Sequence, residues 1–454
     1  MCYLIPTPPN TANTNPLQTP QQMSNIIHDI TKWRRVYQRR RDSTSNIDIN
    51  MSFLSWDIGH ILMAKMVVLL VLFTLFLSFS TNEVGCKRIY REDHMELKRQ
   101  LKLSNKLAKK TIRTKYGDTY DCINLYEQHF NYRSLKNHTN DFPVRSTSNP
   151  KGIRDQKSSP LFNPSNFWLN GKGCPDGMVP IKRNTEDDLK RAKLATEIHN
   201  SKYKPLTIDR PGTHYAIVRT KNTNIVYHGG SAIISIYNPK VEGTQYSSAR
   251  IKVQNGPDSI EVGWTVNPTL YNDTQTRLYT FTKTSNSSCF NTLCNSIIPT
   301  STDIPLGIPI VPISTTDQQF DMKFTLFWDS ANGNWFLKFG QDETEIGFWP
   351  KNVFTALGDG AKSVEWGGEV FSPPDVPSPH MGSAYSVHLM QDTKYDAYCR
   401  QIKTINETDY VENAVDTEKL SDIEQYEVLD EGITGAADFQ HLVLFGGVGG
   451  YTGT

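Results

Sequence analysis

Several common kinds of catalytic machinery are missing from this 454-residue sequence. No GxSxG turn occurs, so a serine nucleophile on a strand-to-helix elbow is not indicated. Neither an HExxH helix nor a CxxC pair is present, which argues against a zinc site. No glycine-rich loop leads from a strand into a helix, as phosphate cradles require. A dominant charge is missing as well. With 48 Lys and Arg against 47 Asp and Glu, the net charge is +1, and no broad basic surface for nucleic acid is expected. His214 and His228 fall in strand-like runs and read as ordinary strand histidines.

Long apolar runs are scarce too. The one that stands out, "MAKMVVLLVLFTLFLSFS" (63–80), has a basic start, an apolar core and small residues at its end. That is the anatomy of a secretory signal peptide, and the run is short for a membrane span. Residues 1–62 are Pro/Asn/Gln/Thr-rich and then basic, without periodic apolar residues. The preferred reading is translation from Met63, with 1–62 a disordered or gene-model extension; the competing one is a signal-anchored protein with a cytosolic arm. No stable membrane anchor is expected. Four sequons, at Asn137, Asn272, Asn286 and Asn406, point to secretion, into the cell wall or the vacuole. So does the even set of cysteines beyond the signal, of which Cys289 and Cys294 in "CFNTLC" are close enough to staple a small loop.

Helical periodicity is sparse. Residues 87 to about 115 carry Leu97, Leu101 and Leu107 at roughly helical spacing among Lys and Arg. "CPDGMVPIKRNTEDDLKRAKLA" reads as a strand, a cap at Asn184 or Thr185, and a short helix with an acidic start. After about residue 205 the texture becomes short strand-like runs separated by turns such as "NGPD" and "SANGN". That predicts an antiparallel β-sandwich or barrel over 206–454, preceded by a smaller α/β segment over 81–205.

Within the β region, "SIEVGWTV" places Ile260, Val262, Trp264 and Val266 on one strand face and Glu261 and Gly263 on the other. "SVEWGGEVF" repeats the acidic, tryptophan-bearing, glycine-opened pattern, with Glu365 and Glu369 sharing a face. Trp264 and Trp366 therefore point to the core. Two carboxylates brought together push their pKa values apart, giving one ionised base and one protonated acid. Such a pair can attack an amide through water or protonate a glycosidic oxygen. Strand glutamates are also often merely solvated, so the pattern alone leaves the choice open.

The runs "IEVGWTVNPTLYND", "CFNTLC", "GNWFLKFG…IGFWP", "VEWGGEVF" and "MGS", preceded by "LKRQLKLSNKLAKKTIRTKYGDTYDCINLYEQHF" and "CPDGMVPIKR", resemble the neprosin family of plant secreted proteins. The similarity extends from about Lys87 to Ser383, with a weaker match at "FGGVGG". It implies an antiparallel β-sandwich behind an activation peptide, made as a zymogen. The implied activity is glutamic endopeptidase cleavage after proline at acidic pH, without cofactor or metal. By motif, the catalytic pair carries over to Glu261 and Glu369, with Glu365 as fallback. Tyr271, in the turn after the first motif, is a speculative substrate contact. The expected partners are a proline-containing peptide and the chain's own activation peptide, whose Lys/Arg-rich stretch is expected to lie over the acidic cleft. Its boundary is placed near 200–210. The family turn usually has glycine where this chain has Asn272, which tolerates positive φ. A cysteine is replaced by Gln425 and the closing "YTGT" lacks another, leaving Cys399 without an obvious partner. The rival reading is a non-catalytic secreted sandwich that binds cell-wall polymer through surface aromatics; glycoside hydrolysis is a third.

Overall fold

The computed structural model describes residues 107–128, 145–152, 163–200 and 212–450, apart from 295, 374–375, 388–390 and 422–424, plus scattered helical positions between 63 and 102. The chain divides into two units at Glu96/Leu97, and the account below concerns the second. Asn137 and the 201–211 boundary segment lie outside the described residues, as does most of the apolar run at 63–80. No helix among the described residues is long and apolar enough to cross a membrane.

The N-terminal part is a three-stranded antiparallel sheet of β1 (Lys110–Arg113), β2 (Thr119–Asn124) and β3 (Met178–Lys182). This corrects the expected helix over 87–115. Met95, Lys98, Arg99, Leu101 and Lys102 are helical, but by Lys110 the chain is a strand whose Ile112 pairs with Tyr120. A disulfide joins Cys122 to Cys174. Helix α1 (Glu186–Asn200) follows, with Thr185 as its cap: Asp188 N–H donates to Thr185 Oγ1 at 3.1 Å, and Thr185 N–H donates to the Asp188 carboxylate at 2.7 Å. Its buried residues are Ala192, Ala195 and His199, one face at helical spacing whose small side chains let the axis lie close to what it covers.

The rest is a β-sandwich. Its first sheet contains β4 (Thr213–Thr220), β6 (Tyr246–Asn255), β7 (Asp258–Val266), β8 (Arg277–Lys283), β9 (Ser288–Phe290), β14 (Ser363–Phe371) and β17 (Thr417–Ser421), in the order β17-β4-β14-β6-β7-β8-β9. The second sheet contains β5 (Gly229–Ser235), β10 (Ile298–Pro299), β11 (Asp321–Trp328), β12 (Trp335–Phe339), β13 (Thr344–Trp349), β15 (Ala397–Ile405), β16 (Val411–Asn413), β18 (Glu427–Ile433) and β19 (His441–Gly446). Its order is β10-β13-β12-β11-β5-β15-β19-β18, with β16 on β15. All these pairings are antiparallel.

Strand alternation sends Ile251, Val253, Ile260, Val262, Val364 and Val370 of the first sheet into one core with Ile234, Phe324 and Leu337 of the second. Trp264 and Trp366 are fully buried there, as their parity requires. Each spans the sandwich to the backbone of β5: Trp264 Nε1 donates to Ser235 O at 2.8 Å and Trp366 Nε1 to Ser231 O at 3.1 Å. The Cys289–Cys294 bridge is present, and Cys399 is a buried free thiol. Asn272 has φ +61° and is exposed, so the turn keeps its left-handed residue without glycine. Asn286 is exposed, whereas Asn406 is half-buried, with Oδ1 accepting from Thr408 and Tyr410 N–H.

Candidate active site

The outer face of the first sheet carries the charge. In β6, Arg250 and Lys252 alternate with the apolar Ile251 and Val253, so both cations point away from the core. Strand β7 pairs along one edge of β6 and β14 along the other. Register sets Glu261 opposite Lys252, which is in turn opposite Glu365. Two residues along, Gly263, Arg250 and Gly367 form the next row, and Glu369 stands one row further, opposite Ser248. Glu261 and Glu369 therefore straddle Arg250, and glycine on both flanks of that arginine keeps side chains out of the row between them. The glycines also serve the backbone. A Cβ at 263 would stand 2.0 Å from the Ala249 carbonyl oxygen, and Gly367 has φ +134° with Ala216 O at 2.3 Å from the Cβ position. What the first motif's glycine admits is thus the neighbouring strand.

Arg250 donates from Nε to Glu369 Oε2 at 3.1 Å and from Nη1 to Glu365 Oε2 at 3.0 Å, and its Nη2 also lies 3.0 Å from Glu369 Oε2. Tyr246 Oη donates to Glu369 Oε1 at 2.6 Å. Lys252 Nζ lies 3.5 Å from Glu261 and 4.0 Å from Glu365. Burial works against the Lys252 charge, but Glu365 and Glu261 more than offset it and raise its pKa. Tyr215, Tyr246 and Tyr279 are pushed well above the usual phenol range, first by burial and then by the neighbouring carboxylates, so they remain donors.

The two catalytic candidates are bridged by one imidazole. His199 Nε2 lies 3.1 Å from Glu261 Oε2, and Nδ1 of the same ring lies 3.6 Å from Glu369 Oε1. The ring packs at 4.1 Å from Phe281, 5.2 Å from Phe290 and 5.5 Å from Tyr246, centre to centre. Burial alone would raise the Glu261 pKa; His199, Arg250 and Lys252 override it and hold the carboxyl well below its ordinary value. With His199 2%, Glu261 1% and Glu369 0% exposed, the pair has no opening to solvent while α1 is in place.

The element placed on the glutamates is therefore α1, where the charge pattern had pointed to the Lys/Arg-rich stretch; sequence reasoning missed His199. Its signal was faint: a histidine seven residues after Ala192 on one helix face, 62 residues before the glutamate it meets. Glu365 joins the same cluster as a partner of Arg250 and Lys252. Tyr271, in the short helix α2 (Pro268–Tyr271), is buried, and its hydroxyl accepts from Asn291 Nδ2 at 3.0 Å. It belongs to an apolar cluster with Ala192, Ala195, Tyr279, Phe281 and Phe290, which α1 roofs. His199, Glu261 and Glu369 form the group of metal-type donors found among the described residues. A dication there would sit against the guanidinium and ammonium that already neutralise these carboxylates.

The segments on either side of this bridge match two families in sequence. The neprosin activation peptide matches residues 111–219, and neprosin matches 243–448. The chain belongs to the neprosin family. The activation peptide supplies α1 and His199, and the neprosin domain supplies Arg250, Lys252 and the three glutamates. Strand β4, matched with the activation peptide, is nonetheless built into the sandwich between β14 and β17. Among solved structures, the chain is similar to scytalido-glutamic peptidase with a peptide-based transition-state analogue. That match has 6% identity and a TM-score of 0.28, covering 52% of this chain and 98% of that one. Similarity extends to SCP-B, an eqolisin-family peptidase in complex with Ala-Ile-His (6%, TM-score 0.27, 52% and 98%), and to toad ovary galectin (9%, TM-score 0.19, 34% and 93%).

Proposed function

We propose that the protein is the latent precursor of a secreted glutamic endopeptidase that cleaves after proline at acidic pH, with Glu261 and Glu369 as its catalytic pair. The observation that carries this reading is the single imidazole between the two carboxylates. A gap that one five-membered ring bridges is the size that an attacking water and a scissile carbonyl need between a base and an acid.

Glu369 owes its position to Tyr246 and Arg250, which belong to the neprosin domain and stay when the activation peptide leaves. It remains ionised and takes a proton from water as that water attacks the carbonyl carbon. Glu261 loses His199 on activation, and with it the foremost influence lowering its pKa. It then binds a proton in acid, donates a hydrogen bond to the carbonyl oxygen and passes the proton to the leaving nitrogen. Phe281, Phe290 and Tyr279, uncovered by departure of Ala192 and Ala195, form an apolar wall for a proline ring. Tyr271 borders it, and Glu365 balances the charges of Arg250 and Lys252. The exposed sequons at Asn272 and Asn286 are the proposed glycan sites.

Protein expressed from Met63 and acidified is expected to cleave a quenched peptide after its one proline, and the Glu261→Gln, Glu369→Gln form is not. Cleavage retained in that form would move the chemistry elsewhere, with Glu365 tested next. No cleavage after verified removal of residues up to Asn200 would overturn the peptidase reading.

A further inference from the structure

The surroundings of His199 are those of a receptor for its ring. Both nitrogens face carboxylates that belong to the neprosin domain, at 3.1 and 3.6 Å. Aromatic rings from that same domain, Phe281, Phe290 and Tyr246, pack around the imidazole. The polar partners fit as well. Glu261 and Glu369 set acceptor oxygens against the two ring nitrogens, with Arg250 and Lys252 beside them. His199 also stands in the last turn of α1, where the helix dipole favours a cation. Each of these features except the last is independent of the backbone that delivers the ring.

We propose that the two-glutamate cage is a binding site for imidazole, filled in cis by His199 in the latent chain and open to imidazole or a histidine-bearing peptide in trans once that side chain is gone. The ring and the attacking water compete for the same place, so the site's ligand is also its inhibitor. The proposal rests on the pairing of Glu261 with Glu369 put forward above, but not on hydrolysis.

The test uses the full chain with His199→Gly, which empties the place of the ring, and free imidazole as the probe. Imidazole is expected to bind this variant saturably by calorimetry and to raise its Tm, with no response from the unsubstituted protein, whose site is occupied. Adding Glu261→Gln is expected to weaken binding by about tenfold, the loss of one hydrogen bond to a charged group. 1-Methylimidazole, which can donate from one nitrogen at most, is expected to bind more weakly than imidazole. No response from folded His199→Gly, or equal binding after Glu261→Gln and Glu369→Gln together, would overturn the proposal. If His199→Gly does not fold, recovery on refolding with imidazole supports it; failure to recover while His199→Phe folds overturns it. Imidazole binding by the His199→Gly chain, with no proline-directed cleavage by protein freed of residues up to Asn200, would sink the peptidase reading and leave this site standing, whereas cleavage by the freed protein without imidazole binding by the variant would do the reverse.

Discussion

Arg250 meets Glu369 with two nitrogens on a single oxygen, Nε at 3.1 Å and Nη2 at 3.0 Å from Oε2. The other oxygen, Oε1, is thereby left to Tyr246 and His199. Arg250 also reaches Glu365, and it is fully buried. Replacing it by Met takes the guanidinium from the buried Glu369 and leaves Glu261 and Glu365 to Lys252, so a loss of about 3–5 kcal/mol in unfolding free energy is expected. Arg250→Lys keeps the charge but not the geometry and should fall between that variant and the unsubstituted protein. Urea melts of both read the order; an Arg250→Met protein as stable as the parent would contradict it.

Gly263→Ala should damage the site from behind. The added methyl meets the Ala249 carbonyl oxygen, so β6 and β7 must part beside Arg250. The expected cost is about 1–3 kcal/mol, as for overpacked interiors, with activity falling further than stability alone explains. A crystal structure of the variant with unmoved strands would refute this.

The Glu261 carboxyl sets a pH window. Its pKa is depressed in the folded latent protein, so its contribution is present above the ordinary glutamate value and is lost as pH falls through the folded value. His199→Gln removes the foremost lowering influence and should move that loss toward higher pH. The Tm difference between the two proteins should therefore be steady near neutrality and shrink in strong acid. A difference that grows in acid would reverse the sign.

A second acid-sensitive contact lies on the other sheet. The Asp329 carboxylate, in the turn from β11 to β12, accepts from Thr147 N–H at 2.7 Å, Thr147 Oγ1 at 2.8 Å and Ser148 Oγ at 2.5 Å, tying the activation peptide to that turn. Burial would raise its pKa, but Ser148 and Thr147 lower it on balance, so this tie too loosens only as pH falls through the depressed value. Asp329→Asn should speed amide exchange at residues 147–148 at neutral pH. Unchanged exchange there would show that the carboxylate is not the tie.

Activation should cut between Asn200 and Thr213. His199 has to leave, while β4 pairs with β14 alongside Glu369 and has to stay. N-terminal sequencing of the acid-processed form checks this; a new terminus inside β4 would contradict it.

Much of the sandwich was legible because period-two alternation with buried tryptophans leaves one choice of face. Trp264 and Trp366 fixed the core side, and Glu261, Glu365 and Glu369 followed onto the other. The pairing of the two motifs was not legible from alternation, since it depends on β6 lying between β7 and β14, a matter of topology. The signal in "ARIKVQN", two cations on one face of a strand, gained meaning only beside the acidic strands. His199 was hidden for another reason. Helix α1 buries two alanines and a histidine in place of an apolar stripe, so nothing in its pattern announces what it covers. The basic run drew attention because charge is conspicuous in a sequence, and shape complementarity is not.

Trp264 follows Glu261 by three residues and Trp366 precedes Glu369 by three, and both indoles are pinned to β5, at Ser235 and Ser231. A single strand of the opposite sheet thus braces from behind the two strands that carry the carboxylates, four residues apart along its own backbone. Losing either indole would loosen one side of the pair without altering a single side chain on the outer face.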